Sequence, residues 1–299
     1  MCRERSTSMA QVRAGLVEYR FERRGDTTIL VFHGGHVRAG LPIGENNFAA
    51  AGYSILAPSR PGYGRTPLGT GRSPAGFADV TAQLCEQLGI RAVAAVVGIS
   101  GGGPTALTMA ARHPDLVQRL ILESAVGFLP WPDRGIRLAA RAMLNSFTER
   151  ITWTVAHRLI RVAPAAGLRF MLRQLSTEPP AKVFAALRED DRARLIALFT
   201  QMRSGSGFVN DLRATPDVTR QITQPVLVIA TRTDGSVPFA QAESLAATIR
   251  GAQLVVSTAD SHFIWFAGDY PSIAEKIHAF LGSGPSAVQS GSERSPGVA

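Results

Sequence analysis

The sequence is short of several things, and each shortage narrows what the chain can be. Only two of its 299 residues are cysteine, Cys2 and Cys85, far apart and with no CxxC partner. Neither a disulfide framework nor a thiolate metal site is expected, and a reducing compartment fits. No run of about twenty apolar residues occurs, so no membrane span or stable membrane insertion is predicted. The opening Met1-Cys2-Arg3-Glu4-Arg5-Ser6 is charged and has no apolar stretch. That is unlike a secretory leader, and a cytoplasmic location is expected. No two histidines have metal-ligand spacing, so neither metal nor cofactor is expected. No Lys/Arg run carries interleaved aromatics, which argues against nucleic acid as a partner.

What remains is an apolar, arginine-rich chain. Hydrophobic residues make up 45% of it, enough to bury a sizeable core. The net charge is +9, and only two of the 32 basic residues are lysine. Arginines scattered over outer helix faces account for this balance. Disorder is expected at both ends, over residues 1–10 and over the Gly/Ser/Pro-rich tail 282–299.

Between the ends, strands and helices alternate. Leu16–Glu22 reads as an edge or half-exposed strand, and Thr27–Phe32 as a strand buried on both faces. A short helix over Gly44–Ala51, a strand over Tyr53–Ala57 and a helix from Ser73 to about Leu88 follow. The last has Phe77, Val80, Leu84 and Leu88 at helical spacing. After strands near Ala94–Val97 and Val117–Glu123, residues 128–213 show only helical periodicity. Alternation then returns through Pro225–Ala230, Ala240–Ile249, Ala252–Ser257 and Ile273–Leu281. The pattern predicts an α/β fold, a mostly parallel sheet with helices on both faces, assembled from 11–127 and 214–281. The helical block 128–213 is expected as a cap over the carboxyl edge of the sheet, where open α/β sheets place their sites.

The most informative stretch is Val96-Val97-Gly98-Ile99-Ser100-Gly101-Gly102-Gly103-Pro104. A buried strand passes through a tight turn into a helix, with glycines two residues either side of Ser100. This is the Gly-x-Ser-x-Gly spacing that projects a strained serine hydroxyl above a helix N-terminus. A serine that merely caps the helix is the plainer alternative. A serine hydroxyl needs a base and a group to orient that base. The last two strands end in Thr231-Arg232-Thr233-Asp234-Gly235-Ser236 and Thr258-Ala259-Asp260-Ser261-His262, which puts Asp234 and His262 on the same sheet edge as Ser100.

With His33-Gly34-Gly35, Arg60-Pro61-Gly62-Tyr63-Gly64-Arg65-Thr66 and Asp234-Gly235-Ser236-Val237-Pro238 in register, the chain resembles the α/β-hydrolase fold superfamily from about residue 16 to 281. The resemblance implies Ser100 as nucleophile, His262 as general base and Asp234 as its orienting acid. It also implies the backbone N–H groups of Gly35 and Gly101 as an oxyanion hole. Glu123, ending the strand after the Ser100 helix, competes for the acid role, and Asp234 lies in the better motif. His33 reads as structural. His36, Trp131, Phe147 and Trp153 are candidate substrate contacts. The expected activity is cleavage of a carboxylic ester of a small to medium, largely apolar molecule through an acyl-enzyme, by a monomer or homodimer. The alternatives are an amide or N-terminal peptide hydrolase and a ligand sensor without turnover.

Overall fold

A computed structural model describes residues 4–145 and 147–282; Cys2 and the tail from residue 283 lie outside the described residues. Eight strands make one sheet: Ser8–Val12 (β1), Gly15–Glu22 (β2), Thr28–Phe32 (β3), Ser54–Pro58 (β4), Ala95–Ile99 (β5), Leu120–Glu123 (β6), Val226–Thr231 (β7) and Gln253–Ser257 (β8). Their order is β1-β2-β4-β3-β5-β6-β7-β8. β2 runs antiparallel to β1 and β4, and every other pairing is parallel.

β3, β5 and β7 are buried at every position, as uninterrupted apolar runs require when helices cover both faces. The two-residue period of a strand splits them between two cores. Leu30 and Phe32 pack on one side with Phe77 and Leu84 of Pro74–Gln87 and with Leu107 of Gly103–Arg112. Ile29 and Val31 pack on the other with Phe48 of Asn46–Ala50 and with Ile273 and Ile277 of Tyr270–Gly282. In chain order these four helices are α1 (Asn46–Ala50), α2 (Pro74–Gln87), α3 (Gly103–Arg112) and, last of eleven, α11. Ser73 starts α2 by accepting a hydrogen bond from the Gly76 N–H, with Pro74 in the first turn, where its missing donor is no loss.

Between β6 and β7 the chain forms six helices: Arg134–Met143 (α4), Glu149–Val162 (α5), Pro164–Leu172 (α6), Pro180–Ala186 (α7), Glu189–Phe199 (α8) and Gly207–Asp211 (α9). Helices α5 to α8 share a third core, in which Trp153, Leu168, Leu195 and Phe199 meet Val37, Leu41 and Phe263 from loops of the sheet. Ala240–Thr248 (α10) joins β7 to β8.

Two expectations need correction. Residues 4–10 are not disordered: β1 begins at Ser8, the Arg5 N–H donates to Gly40 O, and Arg38 forks onto Glu4. Of the two readings of Leu16–Glu22, the edge position falls, since β1 pairs with β2 from Ser8 to Val12, while the half-exposed one holds. The pairing rests on main-chain bonds, and Ser-Met-Ala-Gln-Val has too little alternation to announce a strand.

Candidate active site

The site is built where the parallel strands end. Ser100 follows β5 at φ 49, a left-handed conformation that non-glycine residues rarely adopt. Its neighbours show why the turn needs glycine. A Cβ on Gly98 would lie 2.6 Å from the Ala106 Cβ of α3, and one on Gly102 would lie 2.1 Å from the Phe32 carbonyl oxygen of β3. The glycines therefore avoid the flanking strand and helix, rather than each other. The Ser100 carbonyl is held by the Val126 N–H at 2.9 Å.

Beyond β8, the His262 ring hydrogen-bonds through Nδ1 to Asp234 Oδ2 at 2.7 Å. Both residues are buried. The other carboxylate oxygen, Oδ1, accepts the N–H groups of Ser236 and Val237, each at 2.8 Å. Because a carboxylate only accepts, the imidazole proton sits on Nδ1 and leaves a lone pair on Nε2. Ser100 and His262 border one cavity of about 560 Å³. Among the described residues no direct hydrogen bond joins the Ser100 hydroxyl to the His262 ring, a contact that often tightens only when substrate arrives. The Gly35 nitrogen lies 3.5 Å from the point a Cβ on Gly101 would occupy, so these two glycines are close neighbours beside Ser100.

The helical block braces both loops of this pair. The His262 N–H donates to Leu175 O at 2.7 Å, and the Thr177 N–H donates to Thr233 O at 2.9 Å. Ser176 pairs with Asp234 in an isolated antiparallel bridge, and its hydroxyl donates to Asp260 O. From the other side, the Ser124 hydroxyl donates to His262 O at 3.0 Å.

Glu123 is fully buried and does not bond His262; its Oε2 accepts the Trp265 indole N–H at 2.9 Å. Burial pushes its carboxyl pKa up to about 8, only partly countered by that N–H. Its Oε1 has no partner among the described residues. His33 is buried against Glu45, which also accepts from Arg20.

The candidate contacts separate. Trp131, Trp153 and His36 border the cavity. Phe147 does not: it is 87% exposed, in the turn between α4 and α5 with its side chain outward, which removes it as a contact. His36 has φ 65 and packs against the rings of Trp153 and Phe208. Burial, together with the Arg60 charge, pulls its pKa down to about 3, so the ring is neutral through the physiological range. The Trp153 indole N–H donates to Ser204 Oγ at 2.7 Å, and Ser204 Oγ lies 2.8 Å from His36 Nδ1, so one hydroxyl ties the two rings together.

A further cluster joins two residues of the Arg60–Thr66 motif to an acid, Asp211, that has no signal in the sequence. The Arg60 guanidinium forks onto both oxygens of Asp211, at 2.7 and 2.8 Å, and the Tyr63 hydroxyl donates to Asp211 Oδ2 at 2.6 Å. Burial disfavours the Arg60 cation, yet the Asp211 charge holds its pKa above the ordinary value; burial, then Asp211, raise that of Tyr63. Arg60 and Tyr63 lie in the loop after β4, and Asp211 ends α9. Asp211 Oδ2 approaches to 3.3 Å the point a Cβ on Gly101 would occupy, so the network packs against Gly101.

The cavity wall is mostly apolar, with Phe199, Met202, Phe208 and Phe263 among its residues. Among the described residues, Arg173 is its only charged lining residue and no carboxylate borders it. The arrangement suits attack on a carbonyl in an apolar molecule: a serine and an oriented imidazole border one mostly apolar cavity.

A family model described as the alpha/beta hydrolase fold matches residues 27–269. The uncharacterized hydrolase YcgS of Bacillus subtilis (strain 168) is 33% identical over 275 residues, covering 90% of this chain and 96% of that protein. A 2-hydroxymuconate semialdehyde hydrolase of Pseudomonas putida is 27% identical over 239 residues, 78% of this chain and 79% of that one. Among solved structures, an alpha/beta hydrolase fold protein from Nakamurella multipartita superposes with a TM-score of 0.77 at 26% identity, covering 92% of this chain and 99% of that one.

Proposed function

The chain belongs to the alpha/beta hydrolase fold family, and from that premise we propose that it is a serine hydrolase cleaving carboxylic esters of largely apolar molecules through an acyl-enzyme. The observation that supports this reading is that strained Ser100, Gly35 and an imidazole bonded to Asp234 border one mostly apolar cavity.

In this mechanism His262 Nε2 takes the Ser100 proton as Oγ attacks the ester carbonyl. Asp234, held by two amides, fixes the ring and stabilises the imidazolium that forms. The oxyanion develops between Gly35 and Gly101, each donor contributing about 3 kcal/mol to transition-state stabilisation. His262 returns its proton to the leaving alkoxide, and water admitted on the same side repeats the sequence on the acyl-enzyme. No step requires a metal or organic cofactor. Trp131 and Trp153 supply apolar wall, and the neutral His36 ring offers a polar contact to the substrate.

The cavity chemistry favours esters over amino-terminal peptides. A substrate ammonium needs a carboxylate, and none borders the cavity; Glu149 is engaged by the Ser204 and Gly205 N–H groups. The test is a panel of aryl esters and aminoacyl anilides of graded chain length, with 2-hydroxymuconate semialdehyde as a further arm, run on wild type and Ser100→Ala. Ester turnover that disappears in the variant is expected. Turnover surviving Ser100→Ala removes the nucleophile assignment, and anilides or the semialdehyde outrunning esters replaces the substrate class.

A further inference from the structure

The outer surface of the helical block gathers the charge of the chain and its exposed apolar side chains in one place. From Arg134 to Arg173 there are eight arginines and one acidic residue, Glu149, a surplus of seven positive charges in a chain of net charge +9. Seven of the eight arginines are exposed. Arg20, Arg60, Arg65 and Arg112, outside this stretch, pair with carboxylates. Among the described residues none of the eight has a carboxylate within 4.0 Å.

Large apolar side chains are exposed on the same surface. Twelve are exposed among the described residues, and ten of them lie between Leu129 and Phe170, so this is a patch rather than the ordinary scatter. On α5, Ile151, Val155 and Leu159 fall on one stripe at four-residue spacing, with Arg158 and Arg161 beside it. Ile136, Met143 and Phe170 are each more than half exposed and also border the cavity, so they form its rim.

We propose that this face docks on an anionic bilayer surface, with the apolar stripe of α5 and the cavity rim entering the headgroup region and the arginines meeting lipid phosphates. A second copy of this chain would bring two surpluses of seven positive charges together, which opposes pairing. Nucleic acid would answer the arginines but leave the apolar stripe in water. An anionic bilayer answers both. The surface then delivers an apolar ester laterally to the rim. That last step rests on the ester-hydrolase reading; the docking does not.

The test is co-sedimentation of the full chain with phosphatidylglycerol vesicles and with phosphatidylcholine vesicles. Binding to the anionic vesicles alone is expected. It should weaken at least about tenfold between about 0.1 M and about 1 M salt, as the screening length shortens from roughly 10 Å to roughly 3 Å. The double variants Ile151→Ser/Val155→Ser and Arg158→Glu/Arg161→Glu should each lose about tenfold in vesicle binding while cleaving a short soluble ester at the wild-type rate. Wild type that pellets with neither vesicle overturns the proposal. So does an Ile151→Ser/Val155→Ser protein that binds like wild type, because attraction would then be electrostatic alone. A concentration-dependent dimer in light scattering, dissolved by that same variant and accompanied by no vesicle binding, assigns the surface to a second copy instead. Vesicle binding by a protein that cleaves no ester keeps the docking and discards the ester reading.

Discussion

Glu123→Gln is expected to make the protein more stable at neutral pH while leaving turnover intact. Glu123 sits fully buried at the end of β6, with one carboxyl oxygen on the Trp265 indole and the other unpartnered. Its pKa is about 8 in the folded chain against 4.5 for the free side chain. Between those values the folded state keeps a proton that the unfolded state has released, so raising the pH through that window favours unfolding. At 1.36 kcal/mol per unit, the burden from this one group is about 3 kcal/mol at pH 7 and about 5 kcal/mol above pH 8. That is a large part of the roughly 5–15 kcal/mol by which domains are stable. Glutamine has nearly the same shape, can accept the indole N–H and does not ionise.

The assay is urea unfolding of both proteins from pH 5 to pH 8, where every other titrating group cancels in the difference. The stability gap in favour of Glu123→Gln should widen by about 4 kcal/mol across that range. Parallel curves would show that Glu123 ionises freely and would refute the reasoning. Ester turnover supplies the second readout: Glu123→Gln keeps it, whereas Asp234→Asn lowers kcat by on the order of 10⁴ by losing the tautomer that exposes Nε2. The reverse outcome would make Glu123 the orienting acid.

Gly102→Ala places a Cβ 2.1 Å from the Phe32 carbonyl oxygen and is expected to prevent soluble expression of folded protein; a normally melting variant would show that β3 can yield. Asp211→Asn leaves the Arg60 cation buried without its counter-charge and should destabilise the fold by about 3 kcal/mol, read as a fall in Tm; an unchanged Tm would mean the fork carries no net energy. His36→Gln should lower kcat/KM without moving the acid limb of its pH profile, since a ring with pKa about 3 stays neutral from pH 5 to 8; a shifted limb would mean that His36 titrates with the catalytic pair.

The fold is legible in the sequence because its strands are unbroken apolar runs and its helices repeat every three to four residues, signals that arise from burial and survive without coordinates. The pairing of His262 with Asp234 is foreshadowed because each residue closes a strand, and parallel strands end on one edge. Other features carry no local signal. β1 depends on the main-chain edge of β2, which any short extended segment can meet. Asp211 is one of several acids in a helical stretch, and only the packing of α9 on the loop after β4 brings it to Arg60. Ser204 gives no sign of orienting His36, since its partners Trp153 and His36 lie 51 and 168 residues away. Phe147 reads as wall because helical periodicity does not specify which face of an irregular turn points outward.

These long-range bonds bear on what the helical block is. An added cover would meet the sheet through apolar contact alone. This block instead sends Leu175–Thr177 into the loops that carry Asp234 and His262, and sends Asp211 to the guanidinium behind Gly101. Both halves of the proposed chemistry, the oriented imidazole and the paired amides, are thus braced by residues between 128 and 213. Swinging the block away as a rigid body would break the Leu175 and Thr177 bonds and expose the Arg60–Asp211 fork. Ligand entry is therefore better served by the exposed rim at Ile136, Met143 and Phe170, side chains that take no part in those bonds.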